Sequence, residues 1–269
     1  MDKILKIRQN QFFNKIRKNS NILKALVSRN FKSQYRNSIL GAFWTVLNPL
    51  LNMIVLSLVF SNLFGDRPGV GCYPIYLFCG TLFFNMMRQI TSQSLTSLVT
   101  NSGLIKKVKI SYSIFPMSNM FTALVNFGVS FVALIAIMLI LRQTFHWTML
   151  LTVAIVPAVL LFSLGIGLIV ASLYVYFRDI KHLYEVFLTL WMYLTPLFYT
   201  ADSLKSDMIS KIINLNPMTH FISAFRNVIQ FGIVPSGMEF LICYAWALSM
   251  LVIGYTIYRL SRKRFILYI

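Results

Sequence analysis

The chain has 269 residues, of which 57% are hydrophobic, 15% aromatic and only 12% charged, with a mean hydropathy of +0.70. Charged residues approach roughly 25% of a soluble globular domain, so the composition excludes one and points to a membrane-embedded chain. The formal charge of +18 and pI of about 10.1 invite a nucleic-acid reading, but proteins of that kind carry their charge on the basic face of a soluble domain.

Residues 1–38 are basic with apolar positions interleaved. Leu23, Leu26, Val27, Phe31 and Tyr35 recur at helical spacing while Lys24, Ser28, Lys32 and Arg36 fall on another face. That pattern predicts an amphipathic helix lying at a membrane surface on the cytoplasmic side. Residues 39–269 are expected to form one membrane domain of six helices, with apolar stretches near 40–64, 74–87, 115–141, 149–177, 183–199 and 240–260. The second stretch is shorter than the ~20 residues a span needs, but it continues to residue 98 with Arg88 as its only charge, so the helix is expected to run past the bilayer. Residues 199–236 are interrupted by Asp202, Lys205, Asp207, Lys211, Pro217, Arg226 and Pro235, which predicts short re-entrant or surface helices before the last span. The expected fold class is an all-α integral membrane protein.

Counting charges by segment gives the orientation. With the N-terminus inside, most of the 25 basic residues fall on inner segments, Arg88, Lys106, Lys107 and Lys109 among them. Arg67, Arg142, Lys205, Lys211 and Arg226 alone fall outside, so both termini are expected in the cytoplasm. The charge is then a topology signal, and the nucleic-acid reading loses its support.

No catalytic constellation emerges. The acidic residues Asp2, Asp66, Asp179, Glu185, Asp202, Asp207 and Glu239 form no pair at helical spacing, and there is no Gly-x-x-x-x-Gly-Lys segment to hold ATP. Cys72, Cys79 and Cys243 lack metal or redox spacing, and His146, His182 and His220 are scattered. The chain is therefore read as a non-enzyme with no catalytic residue, no metal site and no cofactor of its own.

Two segments on the inner side stand out. Between the second and third stretches, Leu104, Ile105 and Val108 are interleaved with Lys106, Lys107 and Lys109, which suits either a positive-inside anchor or a short surface helix docking into another protein. The second segment, YVYFRDIKHLYE, places Arg178 and Asp179 at a membrane boundary, where Asp179 could cap the next helix or meet a partner. Among the aromatics, Tyr184, Phe187, Trp191 and Phe198 recur at helical spacing, and Tyr76, Phe83 and Phe84 gather in the second stretch. Packing is the default role for such residues; lining a path for sugars is the sharper one.

Four blocks resemble the membrane permeases of ABC exporters for polysaccharides and polyol phosphates, a family that includes O-antigen, teichoic-acid and capsule exporters. They are YRNSILGAFWTVLNPLLNMIVLSLVFSNLF; YPIYLFCGTLFFN with LVTNSGLIKKVKI; YVYFRDIKHLYE with YLTPLFY; and NPMTHFISAFRN. Leu82 and Phe83 stand where the family often has a tryptophan, and Ile110, Ser111 and Tyr112 stand where an FPR-like tripeptide is common.

The resemblance implies a permease dimer in the bacterial inner membrane, paired with two copies of an ATP-binding cassette ATPase that holds ATP and Mg. The cargo would be a lipid-linked polymer, on undecaprenyl diphosphate, such as the O-antigen of lipopolysaccharide or a teichoic acid. Coupling to the ATPase would fall on Leu104, Ile105, Lys106, Lys107, Val108 and Lys109 and on Arg178, Asp179, Lys181 and His182. Arg29, Lys32 and Arg36 would meet the lipid diphosphate. Trp44, Tyr76, Phe83, Phe84, Tyr184, Phe187, Trp191 and Phe198 would be the channel-lining candidates, and residues 199–236 the outer gate. The competing readings are an ABC exporter of drugs or small lipids and a membrane-embedded glycan polymerase or ligase.

Overall fold

A computed structural model describes residues 19–34, 38, 41–64, 70–107, 110–200 and 207–268. The described residues are helical with loops between, and contain no strand. Helix α1 covers residues 19–34; residues 1–18 of the expected amphipathic helix lie outside the described residues. There follow α2 (Trp44–Phe64), α3 (Tyr73–Thr100), α4 (Ser102–Lys107), α5 (Ile114–Ile140), α6 (Thr152–Tyr176), α7 (Ile180–Leu194), α8 (Asp207–Leu215), α9 (Pro217–Arg226), α10 (Gly237–Ser261) and α11 (Phe265–Tyr268). Gly41 turns the chain into α2 with a left-handed φ of 49°, a conformation that an L side chain would strain.

Among the described residues, four segments are long and apolar enough to cross a membrane: Trp44–Ser61, Ile114–Ile140, Trp147–Tyr176 and Gly237–Ser261. The other two stretches read as spans depart from that standard for different reasons. Helix α3 has 28 residues, about 42 Å of rise, but carries a polar stripe that lowers its hydropathy. Helix α7 is apolar but has only 15 residues, about 22 Å, against the ~30 Å of a hydrocarbon core. It stops because Thr195 precedes Pro196 and takes an extended conformation, with ψ at 131°, as residues before proline do.

The core is built around α3 and α6. Of the α6 span 67% is buried by the chain itself, against 6% of the α2 span, so α2 stands at the periphery and presents Leu51, Ile54, Val55, Leu58 and Val59 outward. Helices α6 and α10 cross in backbone contact: a Cβ on Gly254 would collide with the Gly165 carbonyl, and one on Gly165 would collide with the backbone of Met250. Small residues at such a crossing let two membrane helices approach where no hydrophobic force drives them together. A capping box fixes the start of α10, with the Ser236 N–H donating to Glu239 Oε2 (2.7 Å) and the Glu239 N–H donating to Ser236 Oγ (3.2 Å).

The bundle has two distinct ends. At one, α8, α9 and the π-helical turn Asn227–Phe231 fold over the start of α3 and the loop after α7. At the other, Phe265 is fully buried against Tyr112, Tyr176 and Tyr258, at centroid distances of 5.9, 6.4 and 5.9 Å. That ring joins the segment after α4, the end of α6 and the C-terminal turn in one cluster.

Candidate functional site

Helix α3 alternates two characters around its axis. Phe83, Met87, Ile90 and Leu98 are buried, whereas Thr81, Asn85, Arg88, Gln89, Ser92 and Gln93 recur on the opposite side. That side, with Phe78, Leu82 and Met86 set among its polar residues, lines an open cleft of about 690 Å³. Across it stand Thr45, Asn48 and Trp44 from α2 and Asn126 and Ser130 from α5, with Gln34 and Ser38 closing the side nearest α1. The lining residues include one charged side chain, Arg88, which is exposed into the cleft near the middle of α3. Arg88, counted above with the inner residues, lies in the body of α3, which continues to Thr100 as the expected extension past residue 87 requires.

The α5 wall is itself a polar ladder. Ser118, Asn119, Thr122, Asn126 and Ser130 lie on one face, and α1 docks along it. Asn30 Nδ2 donates to Asn119 Oδ1 (3.0 Å), Asn126 Nδ2 donates to Gln34 Oε1 (3.1 Å), and Ser130 Oγ donates to the Thr45 carbonyl (3.3 Å). Helix α1 is thus held to the bundle by amides and by Leu26, which is buried. Two polar atoms on the cleft walls, Gln89 Nε2 and Asn126 Oδ1, are buried without a hydrogen-bond partner.

Among the described residues the cleft offers hydrogen-bond donors and acceptors and one cation, but no nucleophile–base pair. Among the described residues no group of three His, Cys, Asp or Glu side chains gathers where it could hold a metal. Cys72, just ahead of α3, has its thiol pushed up in pKa by burial, which disfavours a reactive thiolate. Such a surface can bind and pass a polar solute; it carries no apparatus for breaking covalent bonds.

The ABC-2 type transporter family model matches residues 21–230, most of the chain. The chain belongs to the ABC-2 type transporter family. The O-antigen export system permease protein RfbA of Myxococcus xanthus is 27% identical over 91% of this chain and 94% of its own length. Its namesake in Klebsiella pneumoniae is 25% identical over 91% and 93%. The polysialic acid transport protein KpsM of Escherichia coli is 21% identical over 88% and 92%. As an ABC-2 type transporter the chain is an integral membrane protein with a transport role, which agrees with the absence of any catalytic motif in its sequence.

Within this ABC-2 transporter fold the residues singled out from sequence fall in several places. Trp44 lines the cleft. Phe83 is fully buried, stacked on Phe225 (4.1 Å) and edge-on to Phe127 (5.5 Å), and Phe84 is buried beside it on α3. Tyr76 is buried and donates its hydroxyl to the Tyr199 carbonyl (2.9 Å). Tyr184, Phe187 and Trp191 form a chain of ring contacts along α7 at 6.0 and 5.3 Å, with Phe187 half exposed, while Phe198 stacks on Phe60 at 5.8 Å. Trp191 Nε1 donates to Asn216 Oδ1 (2.8 Å), and the same oxygen caps α9 by accepting the Met218 N–H (3.0 Å).

The basic and coupling candidates sit at the other end. Arg29 Nη2 donates to Asn101 Oδ1 (2.8 Å), tying α1 to the end of α3, and Lys32 is exposed. Arg36, Val108 and Lys109 lie outside the described residues. Ile105 is buried and Leu104 half-buried in α4, with Lys106 and Lys107 outward. Arg178 donates to the Tyr268 carbonyl (3.1 Å) and lies over the Tyr174 ring, while Asp179, Lys181 and His182 are exposed. Asp179 occupies the N-cap position of α7, yet its side chain makes no capping bond.

Sequence reasoning missed Arg226. It was counted with the outer segment of short helices and given no role, and in the fold it is buried, with Cζ 3.4 Å from the centroid of the Tyr76 ring. Its Nε, Nη1 and Nη2 donate to the carbonyls of Tyr76 (3.2 Å), Pro196 (2.8 Å) and Leu197 (3.0 Å). The polar stripe of α3 was missed as well, although its spacing is plain in the sequence.

Proposed function

We propose that this chain is the membrane-spanning permease subunit of an ABC exporter that carries a lipid-linked cell-surface polysaccharide, on undecaprenyl diphosphate, across the bacterial cytoplasmic membrane. The observation that carries this reading is the likeness over 91% of the chain to O-antigen export permeases. The polar cleft along α3 supports it: a glycan needs hydroxyl and amide partners on its way through an apolar layer, whereas a hydrophobic drug or small lipid does not. On this reading α3 and α7 join the four apolar helices as spans, and both termini lie in the cytoplasm. Two copies of the permease pair with two copies of an ATPase subunit. The cytoplasmic end is the one where Phe265 joins the segments after α4 and α6; α4 and the Arg178–His182 segment bear on the ATPase there. Residues 199–236 form the outer gate.

The experiment is co-expression with an ATP-binding cassette ATPase subunit from the same host. The two proteins are expected to purify as one complex, and Asp179→Ala is expected to leave the complex intact while lowering ATP-driven export per molecule several-fold. Failure of two folded proteins to associate would count against the reading. Undiminished export by the variant would remove Asp179 from coupling.

A further inference from the structure

An ionisable residue within a membrane-length helix is costly unless it faces an open cavity and has work to do there. Arg88 meets both parts of that description. It lies on the polar side of α3 among the residues that line the cleft, no acidic side chain lines the cleft with it among the described residues, and its neighbours on the same face are Asn85 and Ser92. The opposite wall supplies Asn126, which is more than nine-tenths buried and leaves Oδ1 without a hydrogen-bond partner, and Gln89 Nε2 is likewise unpartnered. A guanidinium in a cleft that also holds amides, hydroxyls and Trp44 has the composition of a site for an oxyanion on a polyhydroxylated molecule.

We propose that the α3 cleft is a binding site for a negatively charged group of the exported substrate, with Arg88 as the charge-bearing contact and Asn85, Gln89 and Asn126 as partners for neighbouring hydroxyls. The inference rests on the export reading above and adds to it a place: a carboxylate or phosphate of the cargo is bound as it passes this point. Two sources share that chemistry, an acidic sugar in the polymer and the diphosphate of its lipid carrier.

Binding is measured by calorimetry on the full chain in nanodiscs at low and high salt, with three probes: a hyaluronan hexasaccharide, inorganic pyrophosphate and neutral maltohexaose. Saturable, salt-sensitive binding of the hyaluronan probe, weakened tenfold or more in Arg88→Gln, places an acidic sugar in the cleft. The same loss for pyrophosphate alone assigns the group to the lipid carrier. Asn85→Asp sets a carboxylate one turn from Arg88 and is expected to weaken the same probe comparably, which guards against an Arg88→Gln chain that fails to fold. Equal affinity of wild type and both variants for every probe overturns the site, as does absence of charged-probe binding to the wild type, or a loss that falls equally on maltohexaose. Export separates the two readings. A deletion strain with unchanged surface polymer defeats the export role, whereas variants that bind and export like the wild type defeat the site alone.

Discussion

Arg226 and Trp191 hold the end of the bundle that carries α8 and α9. The three carbonyls around Arg226 belong to α3 and to the loop after α7, so one side chain joins three parts of the chain that are far apart in sequence. Hydrogen bonds to a charged group contribute about 1.5–3 kcal/mol each, and the carbonyls released by its loss would be buried. Arg226→Met is therefore expected to lower the thermal midpoint of the purified protein by several degrees. Gly80→Ala should act in the same direction, because its Cβ would stand 2.6 Å from Arg226 Nη2. An unchanged midpoint in both would show that the cage carries no stability. Trp191 is a second fastening, through Asn216. Trp191→Phe keeps the ring contacts but removes that bond, at about 1 kcal/mol. It should lower abundance slightly with export per molecule preserved; export falling further than abundance would assign Trp191 to the path.

At the scale of helices, the α6–α10 crossing depends on two glycines with no space above them. Gly254→Leu forces the helices apart and is expected to cut membrane abundance severely, whereas Gly128→Leu on α5, where a Cβ meets nothing, should be tolerated; immunoblots of membrane fractions compare the two. The apolar helices were legible in the sequence because each is a long run of one character, and the short helices before the last span were legible because Pro217 and the charges around it break the run. Helix α3 was only half legible. Its continuation to residue 98 was legible from the near absence of charge, but averaging hydropathy over a window hides a stripe, so its polar face was not. The stripe is nonetheless written in the spacing of Thr81, Asn85, Gln89 and Gln93. Helix α7 ended earlier than its apolar content suggested, since the conformational effect of Pro196 outweighs hydropathy there. The partners of Arg226 could not be read at all: Tyr76 is 150 residues away, and nothing local marks the pair.

At the scale of the whole molecule, the fold divides its labour by position. One end gathers α4, the start of α7 and the C-terminal turn around Phe265; the other carries α8 and α9 over the start of α3. Between them runs a cleft that is polar on α3 and α5 and bordered by the peripheral helix α2. Such an arrangement suits the proposed export role, with a path for a hydrophilic solute along the bundle and apolar faces turned outward. The central claim is tested most directly by deleting the gene in its own host and locating the polymer. The account predicts that lipid-linked polymer is still made but accumulates in the cytoplasm, with little or none at the cell surface, and that wild-type protein restores it. Unchanged surface polymer, or loss of polymer synthesis itself, would contradict it.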